Sequence, residues 1–252
     1  MHSLAHRFEA HRNQWTALTG VLAFLSLHAT AQAQDLWGGS LTVTSDYRVR
    51  GVSRTHADAA LQGGLHAQLS PGWIIGGWMS SVSQDRGRDS TIEVDAYTGY
   101  SWRIAKDWDV KATLTHYWHP DDQARTNYDY DEIAASLIFR SQLAATLTWS
   151  PNTKYFSRYQ GSWNTQEGVS AAYELTGLQP ITPALAVTAG VGYNDLNDLF
   201  DTGYWYWNAG LTYSMGPLQL DVSRIDSDTN AQELFGATAT EAGWSAAISW
   251  RF

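Results

Sequence analysis

Cysteine is absent from this chain of 252 residues. That excludes a disulfide framework, thiol catalysis and thiolate metal ligation. Basic residues are few, 16 against 25 acidic ones, for a net charge of −9, and they form no block. An acidic chain of this kind has no general electrostatic reason to bind nucleic acid. Past the N-terminal segment, no stretch approaches the roughly 20 consecutive apolar residues of a membrane helix. Helical periodicity is nearly absent too, so a helical bundle is excluded on pattern. Against these absences, the chain holds 13 Trp and 13 Tyr. So many amphipathic aromatics suggest a surface with one part in lipid and another in water.

The N-terminus has a different character. Arg7 and Arg12 precede the apolar run TALTGVLAFLSLHAT at 16–30, which is too short to span a bilayer, and Ala31-Gln32-Ala33 follows. A basic start, a short apolar run and an A-x-A site predict a secretory signal peptide over 1–33. Residues 34–252 then form a single domain without a linker. An exported domain without disulfides must be held by a core or by a closed sheet.

Period-two alternation runs through the rest. Leu41, Val43, Tyr47 and Val49 alternate with Thr42, Thr44, Asp46 and Arg48, and Trp108, Val110, Ala112 and Leu114 with Asp109, Lys111 and Thr113. Segments of this type are predicted at 36–50, 61–69, 73–82, 92–102, 108–118, 128–139, 142–150, 168–175, 184–194, 204–213, 218–225 and 243–252. Their length, about ten residues, suits a tilted strand crossing a bilayer. A count of ten or fourteen is open as well, because Lys154–Trp163 can extend a strand. Links alternate between tight turns, such as Ser70–Gly72, and long polar loops, such as Pro151–Glu167. That asymmetry predicts an all-β, antiparallel, up-and-down transmembrane barrel of about twelve strands, with both termini periplasmic. Aromatics fall into two groups. Trp37, Trp73, Tyr100, Trp102, Trp108, Phe139, Tyr213 and Phe252 lie near the turns, and Tyr47, Trp118, Tyr128, Tyr193, Trp205 and Trp207 near the loops. Two girdles are expected where a barrel wall meets the two membrane interfaces.

The opposite parity lines the lumen. It carries Asp46, Arg48, Arg50, Glu93, Asp95, Lys111, Glu132, Glu174, Asp221 and Arg251. Arg48, Arg50, Glu93, Asp95 and Glu132 are expected at similar height in the outer half, with Asp46 and Lys111 as further lining candidates. Two readings stand. The charges form a constriction in a narrow pore for small polar solutes, or acid–base pairs fill a closed barrel that works in adhesion or envelope structure through its loops. Twelve strands allow either, lying between barrels filled by side chains and those with wide aqueous channels. Acids outnumber bases in this set, which favours cations or neutral solutes.

Catalysis has little support. A lipid hydrolase needs a nucleophile beside an oriented base. His66 with Ser80 or Ser45, and His116 or His119 with Ser136, are the available pairs, but no G-x-S-x-G motif accompanies them. No enzyme activity and no cofactor are expected. Asp121-Asp122, and Asp226 with Asp228, lack the ordered Gly and distal Glu of a calcium loop, so they read as solvated acidic loops and no metal is expected.

The stretch SDYRVRGVSRTHADAALQGGLHAQLSPGWIIGGWMSS at 45–81 resembles the opening hairpins of the TorF family of porins. The matching positions are Ser45, Asp46, Tyr47, Arg50, Gly51 and Ser53, then Ala60, Gln62, Gly63 and Gly64, then Gly72, Trp73, Gly76 or Gly77, and Trp78. EVDAYTGYS (93–101), YDEIAASL (130–137) and AVTAGVGYN (186–194) look like later strands of the same family. The resemblance implies an outer-membrane barrel of channel function, without a substrate or a catalytic set. The ending, with Ile248, Trp250 and Phe252 in alternation, resembles the C-terminal signal read by the outer-membrane assembly machinery. Lipid, lipopolysaccharide, that machinery and small polar solutes are therefore the expected partners.

Overall fold

The computed structural model describes residues 36–83, 91–120, 128–159 and 162–252, with 155–159 and 162–166 as backbone only. The expected signal peptide, Asp121-Asp122, and the side chains of Tyr155, Phe156, Tyr159 and Trp163 lie outside the described residues. In chain order the elements are β1 (Trp37–Thr44), β2 (Arg48–Val49), β3 (Val52–Ser53), β4 (Ala60–Ser70), β5 (Trp73–Ser81), β6 (Ile92–Ala105), β7 (Trp108–Trp118) and β8 (Tyr130–Phe139). β9 (Leu143–Tyr159), β10 (Ser162–Pro180), β11 (Leu185–Leu196), α1 (Asn197–Phe200), β12 (Thr202–Met215), β13 (Leu218–Ser227), α2 (Thr229–Phe235), α3 (Ala237–Thr240) and β14 (Gly243–Arg251) follow.

Twelve of these strands close into one antiparallel barrel, and β2 pairs with β3 in a separate small sheet. Closure is made by β1, which pairs with β4 on one side and with β14 on the other, Leu41 opposite Gly63 and Trp250. A closed ring leaves no unpaired edge, the condition for strands to stand in hydrocarbon. The side-chain alternation explains why the ring closes in this register. Leu41, Val43, Leu65, Ile75, Leu114, Ile133, Leu147, Leu175, Leu211, Val222 and Ile248 all point outward and are exposed. Thr44, Gln62, Glu93, Lys111, Thr148, Thr188, Asp221 and Ser249 point inward and are buried. Hydroxyls bridge neighbouring strands along the inner wall, as in Thr42 Oγ1 to Ser249 Oγ at 2.8 Å and Ser136 Oγ to Thr146 Oγ1 at 2.8 Å. An apolar outer wall over a polar interior inverts the arrangement of a water-soluble protein.

The links are sorted as expected. On one side the strands join through 71–72, 106–107, 140–142, 181–184 and 216–217. The other side carries longer links, including β2–β3, α1 and α2–α3, except between β9 and β10, whose strands take up the expected long loop Pro151–Glu167 apart from 160–161.

Three expectations need correction. The predicted strand 36–50 ends at Thr44, and the chain then turns into the barrel. β9 and β10 are much longer than predicted, pairing from Leu143 with Gly177 out to Tyr159 with Ser162. Their 17 and 19 residues rise by roughly 55–65 Å, well beyond a bilayer core. So Lys154–Trp163 lengthens a hairpin and adds no strand to the count. Tyr47 and Tyr128, placed in the outer girdle by parity, are buried at 3% and 4% exposure. Both lie outside the barrel strands, where parity no longer says which way a side chain faces. Trp118, Trp149, Tyr173, Trp205, Trp207 and Trp244 are exposed near the loop end instead.

Candidate functional site

The departure from the wall begins at Ser45. Its N–H donates to Ala246 O at 2.8 Å and its Oγ accepts from Ala246 N–H at 2.9 Å, completing the pairing with β14. Beyond it, Thr44 Oγ1 and Ser245 Oγ both donate to the Asp46 carbonyl, at 2.9 and 3.0 Å, and hold the chain as it turns inward. The Asp46 carboxylate then organises the β2–β3 hairpin from within. It accepts from Arg48 Nε, from Ser53 Oγ at 2.6 Å and from Thr55 Oγ1 at 3.1 Å. Arg50 and Gly51, at φ 50° and 81°, reverse the chain between β2 and β3. Gly51 is required twice over. An L-residue is strained at that φ, and a Cβ there would stand 2.8 Å from Tyr206 Cβ on the opposite wall.

The hairpin is anchored around the lumen by charged hydrogen bonds. Arg50 Nη1 meets Glu132 Oε1 on β8 at 2.8 Å, with both side chains buried. The second Glu132 oxygen accepts from Tyr117 OH at 3.0 Å, and Tyr117 stacks on Tyr130 with centroids 4.3 Å apart. Tyr47 OH donates to Glu93 Oε1 on β6 at 2.6 Å, while its ring leans on Trp78 at 5.4 Å. Glu93 Oε2 lies 3.4 Å from His119 Nε2. Arg48 Nη1 donates to the Glu241 carbonyl at 2.8 Å, tying the hairpin to the link before β14. Further round the wall, Tyr206 OH on β12 donates over Gly192 to Glu174 Oε1 on β10 at 2.8 Å. Above these contacts, Val52 joins an apolar cluster with Leu196, Leu199 and Phe200 around α1, Tyr204 and Tyr206, and Ala231, Leu234 and Ala239 of α2 and α3. The hairpin is thus pinned from below by polar groups and roofed by apolar ones.

Of the residues picked from sequence, Asp46, Arg48, Arg50, Glu93, Asp95 and Glu132 come together here. Register places Asp95 opposite Tyr117 and Glu132 opposite Thr115, so the wall residues share one band. Asp46, Arg48 and Arg50 reach it from the hairpin and not from β1. Lys111 does not join them. It pairs with Ser136, about four residues or roughly 13 Å nearer the turn end than Thr115. Tyr47, Arg54, His119, Glu174 and Tyr206 belong to the site and were missed as such. Glu174 and Tyr206 had the right parity, but only the inward hairpin shows which lumenal residues matter. Ile248 and Trp250 face outward on β14, and Phe252 exchanges backbone hydrogen bonds with Gly39 at 2.8 and 3.1 Å.

The serines considered as nucleophiles have other partners. Ser80 Oγ donates to Ser81 O and accepts from Gln62, Ser136 Oγ pairs with Thr146, and Ser45 Oγ accepts from Ala246 N–H. His116 faces outward against Asp131 at 2.9 Å. Asp228 caps α2, accepting from Ala231 N–H at 3.2 Å, and also accepts from Trp205 N–H at 2.9 Å.

A closed twelve-strand barrel with an apolar outer wall and a polar lumen narrowed by an inward hairpin is a porin-like barrel. The chain belongs to the family described as "Bacterial protein of unknown function (Gcw_chp)", whose profile matches residues 28–250. No curated protein matches it. Among solved structures it is similar to the NanC porin, at 10% identity and a TM-score of 0.53, over 84% of this chain and 97% of that one. It is likewise similar to the KdgM porin, at 6% identity and a TM-score of 0.51, over 85% of this chain and 99% of that one. The KdgM porin was also solved in complex with disordered oligogalacturonate. Identities this low speak for the fold alone.

Proposed function

We propose that this protein is a narrow passive channel for small polar solutes in the bacterial outer membrane, with the 45–59 segment as its constriction. The inward hairpin carries this reading, pinned by Arg50–Glu132 and Tyr47–Glu93 inside a polar barrel. Arg48, Arg50, Glu93, Asp95, Glu132 and Asp46 are its constriction residues, and Lys111 lines the wall nearer the turns. Lumenal acids outnumber bases, which favours cations and neutral solutes over anions. An oligogalacturonate is a polyanion, so the solute here differs from the ligand in the KdgM complex. The TorF resemblance of residues 45–81 supports the same function. In this reading residues 1–33 are removed on export, both termini face the periplasm, and the outer wall meets lipid and lipopolysaccharide. Ile248, Trp250 and Phe252 are read by the assembly machinery. No step of catalysis is assigned.

The apolar cluster around Val52 favours a second reading, a barrel closed at the loop end that acts through its outer surface. Planar-bilayer recording of the refolded protein separates the two. Stepwise currents support the channel, and a correctly refolded barrel that carries none leaves the closed barrel as the function.

A further inference from the structure

The inward face of β11 carries glycine at two successive lumenal positions, Gly190 and Gly192, beyond the inward Thr188. Both lie between larger residues of the neighbouring strands. Gly192 is flanked by Glu174 on β10 and Tyr206 on β12, and Gly190 by Thr176 and Asn208. Without side chains of their own, the two glycines leave a trough in the wall. Tyr206 lies in it. A Cβ at Gly192 would run into Cζ, Cε2 and OH of that ring, and the hydroxyl crosses the trough to Glu174 Oε1. At Gly190 a Cβ would stand 3.2 and 3.3 Å from the amide atoms of Asn208, a crowding that a small turn of the amide relieves.

The hairpin tip closes over the other side of the same tyrosine. Three consecutive tip residues meet it. A Cβ on Gly51 would stand 2.8 Å from Tyr206 Cβ, so the backbone of the tip approaches as closely as a glycine permits. Val52 packs with Tyr206 in the apolar cluster at the loop end. Arg50 interacts electrostatically with Tyr206 and with Glu174, the acceptor of its hydroxyl. Tyr206 is accordingly 6% exposed, enclosed between wall and hairpin. A ring packed on both faces has no slack, and displacement on one side is transmitted to the other.

We propose that Tyr206 is the positioning residue of the constriction, the seat on which the hairpin tip docks, and that Gly192 lets its ring lie low enough for docking. The effect of this seat on the bore rests on the channel reading. The seat itself does not, and two measurements read them separately.

The chain has no cysteine, so a single thiol introduced as Val52→Cys reports on the hairpin tip. Val52 is 8% exposed, and labelling of this parent by a water-soluble maleimide should be slow. Circular dichroism first checks that each further variant is a folded barrel. Gly192→Ala and Tyr206→Ala should each speed labelling by about fivefold or more, because the tip opens more often. Gly190→Ala, the same change at the neighbouring inward position, should leave the rate as it was. In a Tyr206→Ala background, Gly192→Ala should add nothing, since no ring remains to be lifted. Tyr206→Phe keeps the ring and should label more slowly than Tyr206→Ala. Unchanged protection in Gly192→Ala, equal rates in Gly190→Ala and Gly192→Ala, or additive effects in the double variant overturn the seat. Should Gly192→Ala fail to fold, Tyr206→Phe against Tyr206→Ala decides, and equal rates overturn it.

Bilayer recording of the same variants tests the bore. Gly192→Ala and Tyr206→Ala should give larger and noisier currents than the parent, and Gly190→Ala should not. Faster labelling with unchanged currents removes the seat from control of the bore. A folded parent that opens no channels sinks the channel reading, and labelling alone then decides the seat.

Discussion

Arg50→Ala is the most informative single change. The Arg50–Glu132 pair spans 2.8 Å, with side-chain exposures of 4% and 7%. Attraction at that separation is about 6 kcal/mol at an effective dielectric of about 20. Desolvation of both charges offsets most of it, so the intact pair adds little net stability. Removing one partner is different, because Glu132 keeps its desolvation cost without its counter-charge, about 3–5 kcal/mol. Tyr117 still donates to Glu132 and recovers about 1.5–3 kcal/mol at most. A residual of up to about 3.5 kcal/mol shifts the docked hairpin by as much as roughly 300-fold toward undocked forms. The strand ladder is untouched, so the barrel itself should unfold as the wild type does. Single-channel recordings should show larger, noisier currents in Arg50→Ala. The double variant Arg50→Ala/Glu132→Ala should be quieter than the single one, since Glu132 no longer keeps a desolvated charge that has lost its partner. Wild-type conductance and noise in Arg50→Ala would refute the assignment of the hairpin as the constriction.

Other substitutions probe the remaining parts. Gly51→Val places a Cβ against Tyr206 at φ 81° and should undock the hairpin, raising conductance while β-sheet circular dichroism is retained. Leu211→Arg puts a charge on the outer wall between the girdles and should cost about 2–4 kcal/mol in urea unfolding from lipid vesicles. The neighbouring inward Thr212→Ser should cost under about 1 kcal/mol by the same measurement, and equal costs would argue against a lipid-facing wall. Asp228→Ala removes the cap of α2 and the acceptor for Trp205 N–H. A loss of about 0.5–2 kcal/mol in local stability should appear as faster hydrogen exchange over 229–240 with the barrel strands unchanged.

Alternation alone made the barrel legible. A strand has period two, so residues such as Leu114 and Thr115 declare opposite faces wherever the chain stays in the sheet. Twelve such segments, sorted by short and long links, left few other ways to satisfy the backbone in hydrocarbon. The same parity named Glu93, Asp95 and Glu132 as neighbours in height. It faced Tyr47 outward and put Arg48 and Arg50 on a wall strand instead of an inward hairpin, because the chain leaves the sheet at Thr44 while its residues go on alternating. The signal at Gly51 is local and says only that a turn is possible.

What the sequence determined by itself is therefore the wall: which residues face outward, which face the lumen, and where the chain closes on itself. Those properties depend on neighbours in the chain and on the period of a strand. The tertiary structure decided what stands inside the wall. The pairing of Arg50 with Glu132, of Tyr47 with Glu93 and of Val52 with α1 and α2 joins segments far apart in the chain. Only the curvature of the closed sheet brings them within hydrogen-bond or packing distance, and no local pattern encodes that meeting.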